Sequence, residues 1–339
     1  MTTGRSRRVR RVVVGAALCA AMVAGALSGT ANAAGTLRFI MPTGPATYLL
    51  PFFVAQDLGW YEEWGLEVEE KVVRGDPNSI RAVITGDGDV TVVGPNTAMQ
   101  TIIKGGGLKA ISSWQPITDY RIITRPEVGT TLAELADKKW AAYSQGGMSA
   151  EIPKMVLRKH GLDADDAKIL AVGGMSSRMQ AVVAKKVDVT MVDTFFTEIG
   201  KQQGLIEIVS IAKEFPGLGY LYVVTSEKNL ADPASRTALK TFVRGGIEGS
   251  RFIMKEPDRA AEVMKQRTPD VEMALIQSII RGLNDQDVWG PDGGIDPAVT
   301  EFSAATYHKL GAIDRATGYG EVVDSSLVEE VIGEIGKTM

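Results

Sequence analysis

One stretch of this chain is written twice, and that repetition constrains most of what the chain can fold into. Residues 82–98 read AVITGDGDVTVVGPNTA and residues 181–197 read AVVAKKVDVTMVDTFFT; six of the seventeen positions coincide at a constant offset of 99. Slightly further on, Gly107-Leu108 and Ile111 match Gly204-Leu205 and Ile208. The flanks keep the same order. TLRFIM (36–41), a Gly/Pro-rich loop, a helical stretch and Gly65-Leu66 precede the first copy. KKWAAYS (138–144), a Gly-rich loop, a helical stretch and Gly161-Leu162 precede the second. Each unit reads strand, loop, helix, strand, helix, strand, loop, helix, strand. Strands alternating with helical patterns predict parallel α/β sheets. The chain is therefore expected to form two doubly wound α/β lobes.

After about residue 226 no third copy follows. Helical patterns run over 233–255, 257–267, 270–282, 297–310 and 325–337. Asp232-Pro233 and Asp296-Pro297 place an N-cap before a proline at the first helical position. Thr131 with Glu134 makes a capping box before LAELADKK. The C-terminal helices are expected to cover the first lobe. Lobe one is then 34–115 plus 225–339, lobe two is 120–216, and 115–122 and 216–225 are the crossovers. Two strands joining two lobes make a hinge with a cleft beside it.

The N-terminus reads as an address. RSRRVRR (5–11) carries five arginines, VVVGAALCAAMVAGALS (12–28) is uncharged and apolar, and Ala31-Asn32-Ala33 has the small-x-small form of a cleavage site. This is the pattern of a secretory signal peptide cleaved after Ala33, and the apolar run is short for a bilayer span. Removing 33 residues with five arginines leaves 306 residues, 32 basic against 41 acidic side chains, a net charge of −9 and no cysteine. That length exceeds the ~250–300 residues at which single cores stop growing. Without cysteine there is no thiol nucleophile, no disulfide framework and no cysteine-ligated metal. The acidic balance gives no basic field for nucleic acid. An exported chain without a lipidation motif fits a bacterial periplasm.

Several runs together resemble one family. LPFFVAQDLGWYEEWGLEVE (50–69), TLAELADKKWAAYSQGG (131–147), KHGLDADDAKI (159–169), AVVAKKVDVTMVD (181–193) and WGPDGGIDPAVTEFSAATYHKLGAI (289–313) resemble, in order and spacing, the SsuA/THI5-like (NitT/TauT) substrate-binding proteins of ABC importers. The resemblance spans essentially the whole mature chain. It implies a type II periplasmic binding protein: two α/β lobes that close on a small ligand and then dock, as a monomer, on an inner-membrane permease served by an ATPase. The family also covers eukaryotic pyrimidine synthases, which need a Cys-rich segment that the mature chain lacks.

The repeat also points to the binding loops. In open α/β sheets ligands lie beyond the carboxyl ends of the strands, at helix N-termini. In lobe one these loops are MPTGPATY (41–48), GPNT (94–97) and SWQP (113–116); in lobe two they are YSQGGMS (143–149), GGMSSR (173–178) and VDTFF (192–196). Their polar candidates are Thr43, Asn96, Thr97, Gln115, Ser144, Ser149 and Ser176, set where free backbone N–H groups favour an anion. Gly146 and Gly147 allow close backbone approach. Arg178 is the expected clamp for a carboxylate or sulfonate. Tyr48, Trp114 and Phe195 are the expected aromatic wall, and Asp193 either accepts from the ligand or caps the next helix.

No catalytic residue, metal or cofactor is expected. His160 and His308 fall outside the predicted loops, and G-x-S-x-G, H-E-x-x-H and P-loop motifs are absent. GDGD (86–89) lacks the spaced acids of a calcium loop. The expected ligand is a small organic anion or an acid-bearing heteroaromatic of the sulfonate, nitrate, pyrimidine-precursor or aromatic carboxylate class. An exported enzyme on the same fold and a ligand-sensing subunit for a signalling receptor stay open as alternatives.

Overall fold

The computed structural model describes residues 35–145, 147–165 and 167–338; the leader expected over 1–33 and Gly146 lie outside the described residues. Ten strands are described: β1 (Gly35–Met41), β2 (Leu66–Val72), β3 (Val90–Val93), β4 (Leu108–Ser112), β5 (Arg121–Thr124), β6 (Lys139–Ala142), β7 (Lys168–Ala171), β8 (Val189–Val192), β9 (Ile206–Ser210) and β10 (Tyr222–Ser226). They form two five-stranded sheets of identical order, β2-β1-β3-β10-β4 and β7-β6-β8-β5-β9. With helices packed around both sheets, the architecture is a two-lobed α/β fold.

The repeated residues explain the shared order. The second copy's Asp-Val-Thr places β8 as the first places β3, and both strands are wholly buried, as strands covered on two faces must be. Thr91 Oγ1 donates to the Ile40 carbonyl at 2.7 Å, and Thr190 Oγ1 donates to the Ala141 carbonyl at 3.0 Å. Asp89 accepts from the backbone N–H of Arg38 at 2.8 Å, and Asp188 accepts from that of Lys139 at 3.1 Å. The carbonyls of the same two aspartates accept from Thr225 at 2.7 Å and from Thr124 at 2.8 Å. Each Asp and Thr of the repeat thus ties the central strand to a neighbour, which is why those letters recur.

One expectation is corrected. The sheets are mixed rather than parallel, because β10 runs antiparallel to β3 and β4, and β5 runs antiparallel to β8 and β9. Both belong to crossovers. A chain arriving from the other lobe enters the sheet from the opposite end, so the strand it adds runs backwards. The two crossovers also meet each other through an antiparallel bridge at Ile117 and Gly219, with the Tyr220 N–H donating to the Pro116 carbonyl at 3.1 Å.

The C-terminal stretch is helical: Pro233–Lys255, Pro257–Arg267, Met273–Asn284, Pro297–Lys309, Tyr319–Val322 and Ser326–Ile335. Asp232 and Asp296 accept from the first-turn N–H groups of their helices, and Thr131 and Glu134 close their capping box. The long helix Pro233–Lys255 lies against Leu50–Asp57 so closely that a Cβ on Gly249 would stand 2.1 Å from the Pro51 carbonyl oxygen. Around this contact Phe39, Phe52, Trp114 and Phe242 pack ring on ring at 4.6–6.2 Å. Among the described residues no helix is long and apolar enough to cross a membrane.

Candidate functional site

The carboxyl ends of β1 and β2 face those of β6 and β7 across a cleft. At its base is a small chamber of about 40 Å³ lined by Pro42, Thr43, Tyr48 and Asp76 from the first sheet's loops, Tyr120 from a crossover, and Tyr143, Ser144, Gly147, Met148, Ser149, Met175 and Arg178 from the second. A wider space of about 340 Å³ adjoins it, sharing Thr43, Tyr143 and Met175 and adding Arg74, Gly173, Gly174, Ser176 and Ser177 among others. The chamber holds about three water-sized groups. The wider space opens toward solvent.

Local sequence explains why these residues arrive here. Helices Met148–Lys159 and Met175–Val183 begin at the chamber, their N-caps are Gly147 and Gly174, and neither has a side-chain cap, so first-turn N–H groups are left for a ligand. Ser149 is held in place, its Oγ accepting from the Tyr143 N–H at 2.8 Å. Close lobe approach is achieved at glycines. A Cβ on Gly94 would lie 1.9 Å from Met148 Sδ, across the cleft, and Gly75, at φ +85°, faces Ser144. Thr47 of the first lobe donates to Asp193 Oδ2 of the second at 3.1 Å.

Arg178 dominates the electrostatics. Its side chain is 1% exposed, and Nε and Nη1 have no hydrogen-bond partner. Burial pulls its guanidinium below the ordinary value, against the opposing pull of Tyr120, Asp193 and Tyr48. An unpartnered buried guanidinium is costly unless something occupies it. Asp76 is partly buried, and desolvation pushes it up from the usual 3.8 to about 6, with the Gly94 N–H (3.1 Å) and Arg178 pulling the other way. Asp193 and Asp119 are also raised, first by burial; their mutual repulsion adds to the rise at Asp193.

These raised values give a signed prediction. The folded-state pKa of Asp76 exceeds its unfolded value, so its contribution to stability is complete below pH 3.8 and is lost as pH rises through about 6. Asp193 shifts in the same direction. The melting temperature of the unliganded protein is expected to fall between pH 4 and 7. Asp76→Asn should flatten that slope, and an unchanged slope in calorimetric melts would contradict the assignment.

The structure sorts the expected site residues into three groups. Thr43, Tyr48, Ser144, Gly147, Ser149 and Arg178 line the chamber, and Ser176 lines the wider space. Asn96, Thr97, Gln115, Trp114, Phe195 and Asp193 line neither. Trp114 turns into the first lobe's aromatic core, stacked on Phe52 at 6.2 Å, and Phe195 packs edge-on against Phe196 at 5.3 Å. Both are core rings because their backbones point them inward, and the chamber's aromatic wall is instead Tyr48, Tyr120 and Tyr143. Asp193 is a helix cap, accepting from the Phe196 N–H at 2.9 Å. Asn96 and Thr97 are buried with Oδ1 and Oγ1 unpartnered.

Asp76 and Tyr120 line the chamber without being among the expected residues, and Tyr143 stands in the expected loop 143–149 without being one of its candidates. The loop after β2, Gly75-Asp76-Pro77, satisfies the strand-end rule that selected the others, so Asp76 was legible; Tyr120, in a crossover, carried no such signal. The histidines stand elsewhere: His160 Nε2 lies 3.0 Å from Glu214 at the surface, and His308 Nδ1 lies 3.4 Å from the Ile313 carbonyl. Arg121 and Arg125 are structural, the first donating to the Asp119 carbonyl at 2.7 Å and the second to that of Val187 at 2.9 Å.

Known proteins resemble the chain as follows. The family model described as NMT1/THI5 like matches residues 46–260. YtlA of Bacillus subtilis (strain 168) is 20% identical over 312 residues, covering 85% of this chain and 87% of its own length. The periplasmic nitrate-binding protein NrtA of Synechocystis PCC 6803 superposes with a TM-score of 0.72 at 12% identity, over 89% of each chain. The alkanesulfonate-binding protein SsuA of Xanthomonas axonopodis pv. citri, bound to MOPS, superposes with a TM-score of 0.69 at 14% identity, over 86% of this chain and 98% of that one. At these identities the structural likenesses establish the fold.

Proposed function

Because the chain belongs to the NMT1/THI5-like family, we propose that it is the substrate-binding component of an ABC importer, and that it captures a small acid-bearing ligand between its lobes. The observation that carries this reading is Arg178, fully buried at the chamber with two guanidinium N–H groups unpartnered. A buried guanidinium with free donors suits a carboxylate, sulfonate or nitrate, which can accept from two of its N–H groups, better than a neutral group. Two structures of the same fold belong to proteins named for anions, nitrate and alkanesulfonate.

In this reading the crossovers at 115–122 and 216–225 are the hinge. The ligand binds the closed form better than the open one, and that difference in affinity sets the population offered to the permease and its ATPase. Residues 1–33 direct export to the periplasm, where the protein works as a monomer.

A thermal-shift screen of the purified protein against sulfonates, nitrate, carboxylates and pyrimidine precursors tests the proposal. At least one acid should raise the melting temperature by several degrees and be recovered unchanged. If only uncharged compounds stabilise the protein, or the stabilising acid is consumed, the reading is wrong.

A further inference from the structure

One buried side-chain bond joins the two lobes directly. Thr47 opens the short turn Thr47–Leu49 of the first lobe, and its Oγ1 donates to Asp193 Oδ2 of the second at 3.1 Å. Both residues are fully buried. Two other side-chain bonds cross between the lobes, Arg121 Nη2 to Gln286 Oε1 at 3.2 Å and Arg158 Nη1 to the Leu310 carbonyl at 2.9 Å, and both lie in solvent. Water replaces an exposed bond at little cost, whereas a buried polar group left without its partner is costly. Of the three, the Thr47–Asp193 bond therefore carries the largest energy difference between its made and broken forms.

Both ends of this bond are aimed by their surroundings. Asp193 Oδ1 accepts from the Phe196 N–H at 2.9 Å, so the helix cap leaves Oδ2 pointing at Thr47. The next residue, Thr194, is tied to the first crossover: its N–H donates to Asp119 Oδ2 at 3.1 Å and its Oγ1 to the Asp119 carbonyl at 3.2 Å. In the first lobe Tyr48, next to Thr47, lines the chamber, and its ring stands edge-on to Tyr220 of the second crossover at 5.9 Å. The bond thus sits between the chamber and the crossovers, where water admitted by parting lobes reaches it. Neither Thr47 nor Asp193 lines the chamber or the wider space.

On the reading above that the lobes close on a ligand, we propose that Thr47 and Asp193 form a closure latch, a hydrogen bond made as the lobes meet that tightens capture without touching the ligand. Both are positioning residues. With the lobes apart, water satisfies the two groups. With the lobes together, a missing Thr47 hydroxyl leaves Asp193 Oδ2 buried and unmatched, so the penalty falls on the closed state alone. A change in the closed-state population lowers affinity by one factor for every ligand that closes the lobes. A residue in contact with the ligand would instead weaken different acids by different factors.

The test is calorimetric titration of the purified protein with nitrate, ethanesulfonate, benzoate and orotate, together with melts of the unliganded protein. Thr47→Val keeps the shape and removes the hydroxyl. It should weaken every acid that binds the wild type by the same factor, about tenfold, through faster dissociation, and leave the unliganded melting temperature unchanged. Thr47→Ser keeps the hydroxyl and should bind nearly as the wild type does. Asp193→Ser still caps its helix but is too short to reach Thr47 as well. It should weaken binding too, and adding Thr47→Val to it should cost little more, which decides the matter where only one acid binds. Unchanged affinity in Thr47→Val overturns the latch and leaves the acid reading standing. Unequal factors among the acids, or additive losses in the double variant, overturn it as well. A fall in the unliganded melting temperature of Thr47→Val would make Thr47 a structural residue. If none of the four acids binds the wild type, the acid reading fails and the latch with it.

Discussion

Arg178→Met lowers affinity for the ligand at least a hundredfold, and raises the melting temperature of the unliganded protein. Both effects follow from one observation: an arginine that is 1% exposed and has unpartnered Nε and Nη1. Hydrogen bonds to a charged group are worth about 1.5–3 kcal/mol each. Losing two of them removes about 3 kcal/mol or more, which is at least two decades of affinity. In the unliganded protein the same charge is a liability, because burial without a partner is unfavourable. A methionine of similar length fills the space without that cost. Arg178→Lys should recover only a small part of the affinity, since an ammonium cannot present two parallel donors. Calorimetric titration and thermal melts of the three proteins read both effects. Loss of affinity together with loss of apo stability would mean that Arg178 is a structural residue.

Gly94→Ala weakens ligand binding about tenfold without destabilising the unliganded protein. Gly94 has φ −64° and ψ 144°, a conformation open to any residue, so alanine imposes no backbone strain. Its Cβ would stand 1.9 Å from Met148 Sδ and 2.0 Å from Met148 Cγ, atoms of the opposite lobe. The collision exists only when the lobes are together. Overpacking of this kind costs about 1–3 kcal/mol, here charged to the closed state alone. Met148→Ala added to Gly94→Ala makes room again and should restore most of the affinity. A Gly94→Ala protein that binds normally would show that closure does not bring these residues together.

The repeat was the most informative part of the sequence, because its letters do structural work at corresponding places. Asp89 and Asp188, Thr91 and Thr190 each bond the central strand to its neighbours in the same way in the two sheets. The helix starts at Asp76 and Met175 keep the same offset. Strand direction at β5 and β10 was not legible, since RIIT and YVVTS carry no mark of which end they enter from.

Among the expected residues that follow strand ends, Arg178, Thr43, Ser144, Ser149 and Ser176 line the two spaces and Thr97 lines neither. Aromatic placement was not legible. Trp114 and Tyr120 are six residues apart in one crossover region, and which of them faces the core depends on packing partners such as Phe52, Phe242 and Tyr220 that lie far away in sequence.

In the proposed function a small acid is held on Arg178 in the closed cleft. A crystal structure of the protein with its tightest-binding acid tests this most directly. An acid group is expected within hydrogen-bonding distance of the Arg178 guanidinium, with Tyr48 and Ser149 around it and both lobes in contact with the ligand. A ligand bound elsewhere, or bound in the cleft with its acid group turned away from Arg178, would contradict it.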